Sequence, residues 1–171
     1  DLLNATARLT AEIARVSGVV PQIAVVTGTC AGTNAINAAS ADLCIMAEDA
    51  ELFLNAPFNA EDKVANAGSA AFAAKAGVAA VTAADAVAAA KQAASIVALL
   101  PANNLAGPAV FEPSAPAGTL NLAKYCPVEA AASIADANSA VELYAGYGKT
   151  VYTALATVAG NVVGIVATKG A

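Results

Sequence analysis

Apolar positions recur along the chain in two rhythms. Over residues 2–16, Leu2, Leu9, Ile13 and Val16 fall at helical spacing, with Asn4, Arg8, Glu12 and Arg15 elsewhere. This predicts an amphipathic helix, ended by Ser17-Gly18 and followed by an element opening at Pro21. Ile23 to Val26 is a short apolar run of buried-strand type. It breaks at Gly28, passes Gly32 and enters an alanine-rich segment that reads as a helix. Asp42 to Ala47 reads as a second strand, Glu48-Asp49-Ala50 as a turn and Glu51 to Leu54 as a third strand. Strand, helix, strand, turn, strand is an α/β pattern.

The next stretch is less regular. Pro57 breaks it, Glu61 to Ala67 reads as a short helix, and Gly68 and Gly77 punctuate it. Thr82-Ala83-Ala84-Asp85 has the form of a capping box. It predicts a helix to Leu100 with Val87, Ile96, Val97 and Leu100 inward, stopped by Pro101. Residues 101–127 carry five prolines with Gly107 and Gly118 and read as a linker. Beyond it, Val128 to Ala135 reads as a short helix and Glu142 to Tyr147 as mixed. Thr150 to Thr157 and Val162 to Thr168 read as strands around an Ala159-Gly160-Asn161 hairpin turn. Two strands and one short helix cannot bury a core alone. This unit is expected to pack on something else or to continue further.

Composition narrows the function classes. The 171 residues are 58% hydrophobic with mean hydropathy +0.64, but much of this is alanine, which supplies helix propensity and close packing. The longest apolar candidate, Ala83 to Leu100, is broken by Asp85, Lys91 and Gln92, which disfavours a membrane span. Net charge is −5 with eight Lys plus Arg and no basic cluster, against nucleic acid and anionic membrane surfaces. Three cysteines at irregular spacing suggest neither a zinc site nor a disulfide framework, so a reducing cytoplasm is the default location. The first residue is Asp1 rather than Met, which hints at a missing N-terminus.

Histidine is absent. That removes the commonest general base and every Ser-His or Cys-His nucleophile. Chemistry must rest on backbone donors, carboxylates, Lys, Tyr or groups brought by ligands. The strand–turn–helix from Gln22 to Ser40 is the strongest candidate, because a turn of small residues before a helix gathers backbone N–H groups where negative charge develops. Cys30 reads as a packed residue rather than a nucleophile. Asp42, Glu48, Asp49 and Glu51 read as solvated carboxylates rather than metal ligands. Tyr144, Tyr147 and Tyr152 read first as packing residues and Lys149 as exposed, with a ligand pocket and a ligand phosphate as the sharper alternatives.

Three collinear segments carry a family likeness. Ser17 to Met46 (SGVVPQIAVVTGTCAGTNAINAASADLCIM), Leu99 to Asn104 (LLPANN), and Asp136 to Thr168, ending in a hairpin with Val163-Gly164-Ile165-Val166-Ala167, fall in order over nearly the whole chain. They resemble the carboxyltransferase subunits of biotin-dependent acyl-CoA carboxylases and decarboxylases. Propionyl-CoA carboxylase β-subunits and the α-subunits of sodium-pumping decarboxylases are the nearest types. The resemblance implies an α/β fold of the crotonase-like (ClpP/crotonase) ββα-spiral kind. Residues 1–100 would be the later part of an N-terminal domain, 101–127 a proline-rich linker, and 128–171 the first hairpin of a C-terminal domain. The chain would be an internal segment of one two to three times longer.

By the same resemblance, the reaction moves a carboxyl group between carboxybiotin and the α-carbon of a short acyl-CoA. Paired backbone N–H groups hold the enolate oxygen, and biotin itself acts as the base. The donors fall on Gly32 and Thr33, with Gly28, Cys30 and Ala31 against the substrate and no metal. A second donor pair lies downstream in the family and has no counterpart here. Implied partners are acyl-CoA, a biotin carboxyl carrier protein, further copies of the chain as a trimer of dimers and, for a decarboxylase, membrane components.

Three positions depart from the family pattern. Thr33 replaces a second glycine, Ala80 stands where histidine is frequent, and Leu155-Ala156-Thr157 where Phe-Ala-Arg is frequent. A positive φ would strain Thr33, whereas the first turn of a helix would accept it, and the helical position is expected. The competing readings are a catalytically degenerate assembly subunit and a crotonase-like hydratase, isomerase or thioesterase. The latter generally need a carboxylate beside the glycine turn, and none lies within it.

Overall fold

The computed structural model describes residues 1–57, 64 and 66–168. Helix α1 spans Leu2–Val16, with the Asp1 side chain accepting from Leu3 N–H as its N-cap. A unit follows of strand β1 (Ile23–Val26), strand β2 (Thr29–Ala31) and helix α2 (Thr33–Ala39). The same order repeats with β3 (Leu43–Ala47), β4 (Glu51–Phe53) and α3 (Ala70–Lys75), and a third round begins with β5 (Val81–Ala83) and α4 (Ala86–Leu99).

The first strands of successive rounds form one parallel sheet, ordered β1-β3-β5, and the second strands another, β2-β4. Two small sheets sharing their helices make the expected ββα winding. After α4, the described residues up to α5 (Pro127–Ala132) form no helix or multi-residue strand. Strand β6 (Val141–Leu143) then pairs antiparallel with β7 (Val151–Val158), and β7 with β8 (Asn161–Thr168).

Strand β3 is the axis of the core. Cys44 and Met46 point into a cluster with Ala38, Ala47, Ala70 and Ala73, under α2 and α3. Ile45 points the other way, onto Ala89 and Ile96 of α4, as alternation across a strand buried on both faces requires. The second cluster also takes in Val141, Leu143 and Leu155, so β6 and β7 cover α4 and the β1-β3-β5 sheet. On the other face of the antiparallel sheet, Tyr152 and Ala154 pack with Ala131 of α5. Most of the buried apolar residues are alanines. Elements therefore approach closely, with little side-chain bulk between them.

Several expectations are corrected. Strands β2 and β5 and helix α3 are too short and alanine-rich for a periodic signal, yet pairing holds them. Thr82 is not a cap: it lies in β5, and Asp85 caps α4 by accepting from Ala88 N–H at 2.7 Å. Val87 and Val97 are exposed, and the buried face of α4 is Ala89, Ile96 and Leu99. Leu2 and Leu9 of α1 are exposed as well. The short helix expected at Glu61 to Ala67 falls largely outside the described residues.

The segment between α4 and α5 is tied down by backbone bonds. Asn104 N–H donates to Val19 O at 2.9 Å, Phe111 N–H to Gly160 O at 2.8 Å and Gly118 N–H to Ala132 O at 3.0 Å. Asp136 completes the knot. Its carboxylate accepts from Gly160 N–H at 2.8 Å and Ser114 N–H at 3.3 Å. The Thr157 hydroxyl first, then these amides, hold the Asp136 carboxyl below its ordinary range.

Candidate functional site

The strand–turn–helix is built around β2. Glu51 N–H donates to Gly28 O and Gly32 N–H donates to Phe53 O, both at 3.1 Å, so the two glycines bracket the β2–β4 ladder. Gly32 then turns the chain into α2 with φ 61° and ψ −133°, a conformation essentially confined to glycine. The strained position is thus Gly32. Thr33 is the first residue of α2 and lies outside the positive-φ residues, so its β-branch costs no backbone strain.

This separates the two expected donors. Gly32 N–H is taken by Phe53, so its part is to set the turn. Gly32 O accepts from Ala35 and Ile36 N–H at 3.0 and 3.3 Å, which satisfies part of the helix start. As the N-cap, Gly32 has no side chain to reach back. The N–H groups of Thr33 and Asn34 therefore donate to no acceptor among the described residues, and both residues are exposed. A glycine cap leaves open the donors that Ser, Thr or Asp would have occupied.

The remaining expected residues fall nearby. Gly28, the residue before β2, and Ala31, its last residue, are exposed. Cys30 is half-buried and packs on the core cluster that holds Cys44. Burial pushes the Cys30 thiol up; burial and then the charge of Cys30 push Cys44 up to about 11. Neither is a thiolate at neutral pH.

Glu51 was not legible as a neighbour of the turn. The β2–β4 register sets it opposite Thr29, whose hydroxyl donates to its carboxylate at 3.0 Å. It lies beside the start of β2, at the opposite end of that strand from Thr33. Among the described residues, no group of three His, Cys, Asp or Glu is placed to hold a metal ion. None of the described helices is long and apolar enough to cross a membrane. Of the tyrosines, Tyr152 is in the core, while Tyr144 and Tyr147 meet at one cavity.

The family model of the carboxyl transferase domain matches residues 2–171. The chain belongs to the carboxyl transferase domain family. It is 31% identical over 184 residues to the methylmalonyl-CoA carboxyltransferase 12S subunit of Propionibacterium freudenreichii subsp. shermanii, covering 98% of the chain and 35% of that protein. The crystal structure of transcarboxylase 12S with hydrolyzed methylmalonyl-coenzyme A bound superposes with a TM-score of 0.87 at 29% identity, over 98% of this chain and 36% of that one. A single-chain, multi-domain long-chain acyl-CoA carboxylase matches with a TM-score of 0.75 at 26% identity, over 94% of this chain and 17% of that one. The crotonase-like α/β fold is therefore the fold of this carboxyl transferase segment, which spans about a third of the relative's length.

Proposed function

We propose that the protein transfers a carboxyl group between carboxybiotin and a short acyl-CoA. The observation that carries this is the match to carboxyl transferases over residues 2–171, with the same fold to a TM-score of 0.87. The turn at Gly32 supplies the chemical rationale. Deprotonating an acyl thioester at its α-carbon places negative charge on the thioester oxygen. Thr33 N–H, uncapped and at the positive end of α2, is the donor this chain offers that oxygen. Asn34 N–H lies beside it, and Gly28, Cys30 and Ala31 lead the strand up to it. Carboxybiotin, carried by a partner protein, supplies the carboxyl group when bound. Such a site works without imidazole. The transcarboxylase 12S relative assembles as a hexamer, and self-association of this protein, with the division at 101–127 between two crotonase-like units, belongs to the same reading.

The test is acyl-CoA-dependent consumption of carboxybiotin by the intact protein; none at all would sink the assignment. The donor is tested by Thr33→Pro. Proline is favoured at the first position of a helix and removes the N–H, and Thr33→Ala, which keeps the N–H, controls for loss of the hydroxyl. Loss of that donor is expected to lower kcat by about 10²–10³, with Thr33→Ser nearly unchanged. A fully active proline variant would remove Thr33 from the chemistry.

A further inference from the structure

At the seam between the two parts of the chain lies a cavity of about 550 Å³. Helix α4 forms one wall with Gln92, Ser95 and Leu99, and residues 138–142, leading into β6, form the other. Phe111 and Thr157 also line it. Val81 and Val141, which pack on the core cluster of Ile45 and Ile96, give it an apolar floor. Among the described residues, Glu142 is the one lining residue with a charged side chain. Strand alternation turns that side chain away, because Val141 and Leu143 on either side face the α4 cluster. It lies instead toward Tyr152, whose phenol is pushed up by burial first and by the Glu142 charge second. The cavity is therefore walled by neutral groups.

The hydroxyls of those walls are committed elsewhere. Ser139 Oγ donates to Asp136 O at 2.8 Å and accepts from Thr157 N–H at 3.1 Å. The Thr157 hydroxyl bonds the Asp136 carboxylate, and Ser95 Oγ donates to Lys91 O at 3.1 Å. The two carboxamides are not committed: neither Gln92 nor Asn138 has a side-chain hydrogen-bond partner among the described residues. Asn138 stands in the left-handed region at φ 60°, which asparagine tolerates, and the next residue anchors it, Ser139 N–H donating to Asp136 O at 3.1 Å. One free amide thus stands on α4 and the other across the seam, with apolar residues between them.

We propose that this cavity binds an uncharged cyclic polyol of monosaccharide size. Its volume falls within the ~300–1,000 Å³ of small-molecule pockets. A carboxamide sets an N–H donor beside a C=O acceptor, and two neighbouring hydroxyls on one ring answer both at once, since each can donate and accept. A ligand with acceptors alone would leave the amide oxygens unpaired. The C–H face of the ring is apolar and lies on Phe111 and Leu99, while its hydroxyl rim meets Gln92 and Asn138. An ion meets no opposite charge on these walls, and its desolvation is uncompensated. Bound there, the ring bridges α4 to the antiparallel sheet. The site stands apart from the turn at Gly32, and the proposal does not rest on the function proposed above.

The probes are D-glucose and myo-inositol, each titrated into the intact protein and followed by saturation-transfer NMR, which reads weak binding from the ligand's own signals. A dissociation constant on the order of 1 mM is expected, with transfer strongest to the ring C–H protons. Gln92→Ala places a strong helix former at an exposed position of α4. Its melting temperature should therefore match wild type while affinity for the sugar falls about tenfold. Glucose 6-phosphate should bind about tenfold more weakly than glucose, because its charge finds no partner. Absence of transfer to both probes, equal affinity in the Gln92→Ala protein, or glucose 6-phosphate binding as tightly as glucose overturns the proposal. None of these readouts involves carboxyl transfer. Absence of sugar binding leaves the proposed function standing, and absence of carboxyl transfer leaves the sugar site standing.

Discussion

At the scale of single residues, a glycine and a threonine divide the work at the turn. Gly32 accepts the left-handed conformation so that Thr33 can be helical. A Cβ on Gly32 would meet nothing within 4 Å, so Gly32→Ala is penalised by backbone conformation alone. Chemical denaturation is expected to show a loss of about 1–3 kcal/mol, and carboxyl transfer should fall because α2 starts in the wrong place. Asp136 makes a prediction in pH. Its folded value lies below the ordinary 3.8, so its stabilisation is complete above that value and fades as pH falls through the lower folded value. Asp136→Asn should therefore melt below wild type at neutral pH, with the two melting temperatures converging in acid below about pH 4. The sequence paired Gly32 with Thr33 as donors. A motif shows that small residues gather at a point, but only the β2–β4 ladder shows that Gly32 N–H is already bonded.

At the scale of elements, the β7–β8 hairpin is the most regular part of the chain. Val158 pairs with Asn161, leaving Ala159 and Gly160 as a two-residue turn with φ 48° and 78°. Both positive values fit a type I′ turn, which prefers Asn-Gly. Ala159 carries the strain of a left-handed alanine, and Ala159→Asn is expected to add about 1 kcal/mol, read as a higher urea midpoint at unchanged slope. Gly160 is fixed more firmly, because a Cβ there would collide with the Phe111 carbonyl. The hairpin, α1, β1, β3 and the end of α4 at Pro101 were legible because each has a strong period or a breaker. Strands of three residues, such as β2 and β5, have no period to read. In α4, alanines outnumber larger residues so heavily that its inward face was assigned to Val87 and Val97, which are exposed.

At the scale of the whole molecule, the two parts of the chain meet on α4. Ile96 is fully buried in the cluster that joins Ile45 of β3 to Val141, Leu143 and Leu155. Ile96→Ala is expected to lose about 2–5 kcal/mol and to loosen the antiparallel sheet along with the parallel one. Amide hydrogen exchange would read this as lost protection in β7 as well as β3. The sequence located the family, since collinear motifs are local. It could not show that the antiparallel unit completes the cover of α4, because that contact joins residues far apart in the chain.

The alanine-lined core also constrains how this protein can vary. In most interiors the damaging change removes bulk and leaves a hole. Here Ala38, Ala47, Ala70, Ala73 and Ala89 have little bulk to lose, and all are buried in the core clusters. The closed direction is growth: even Ala→Val at these sites asks two elements to separate. Drift inside such a protein is confined to alanine, glycine and serine. Its few large buried residues, Ile45, Met46 and Ile96, are the places where its interior can still be redesigned.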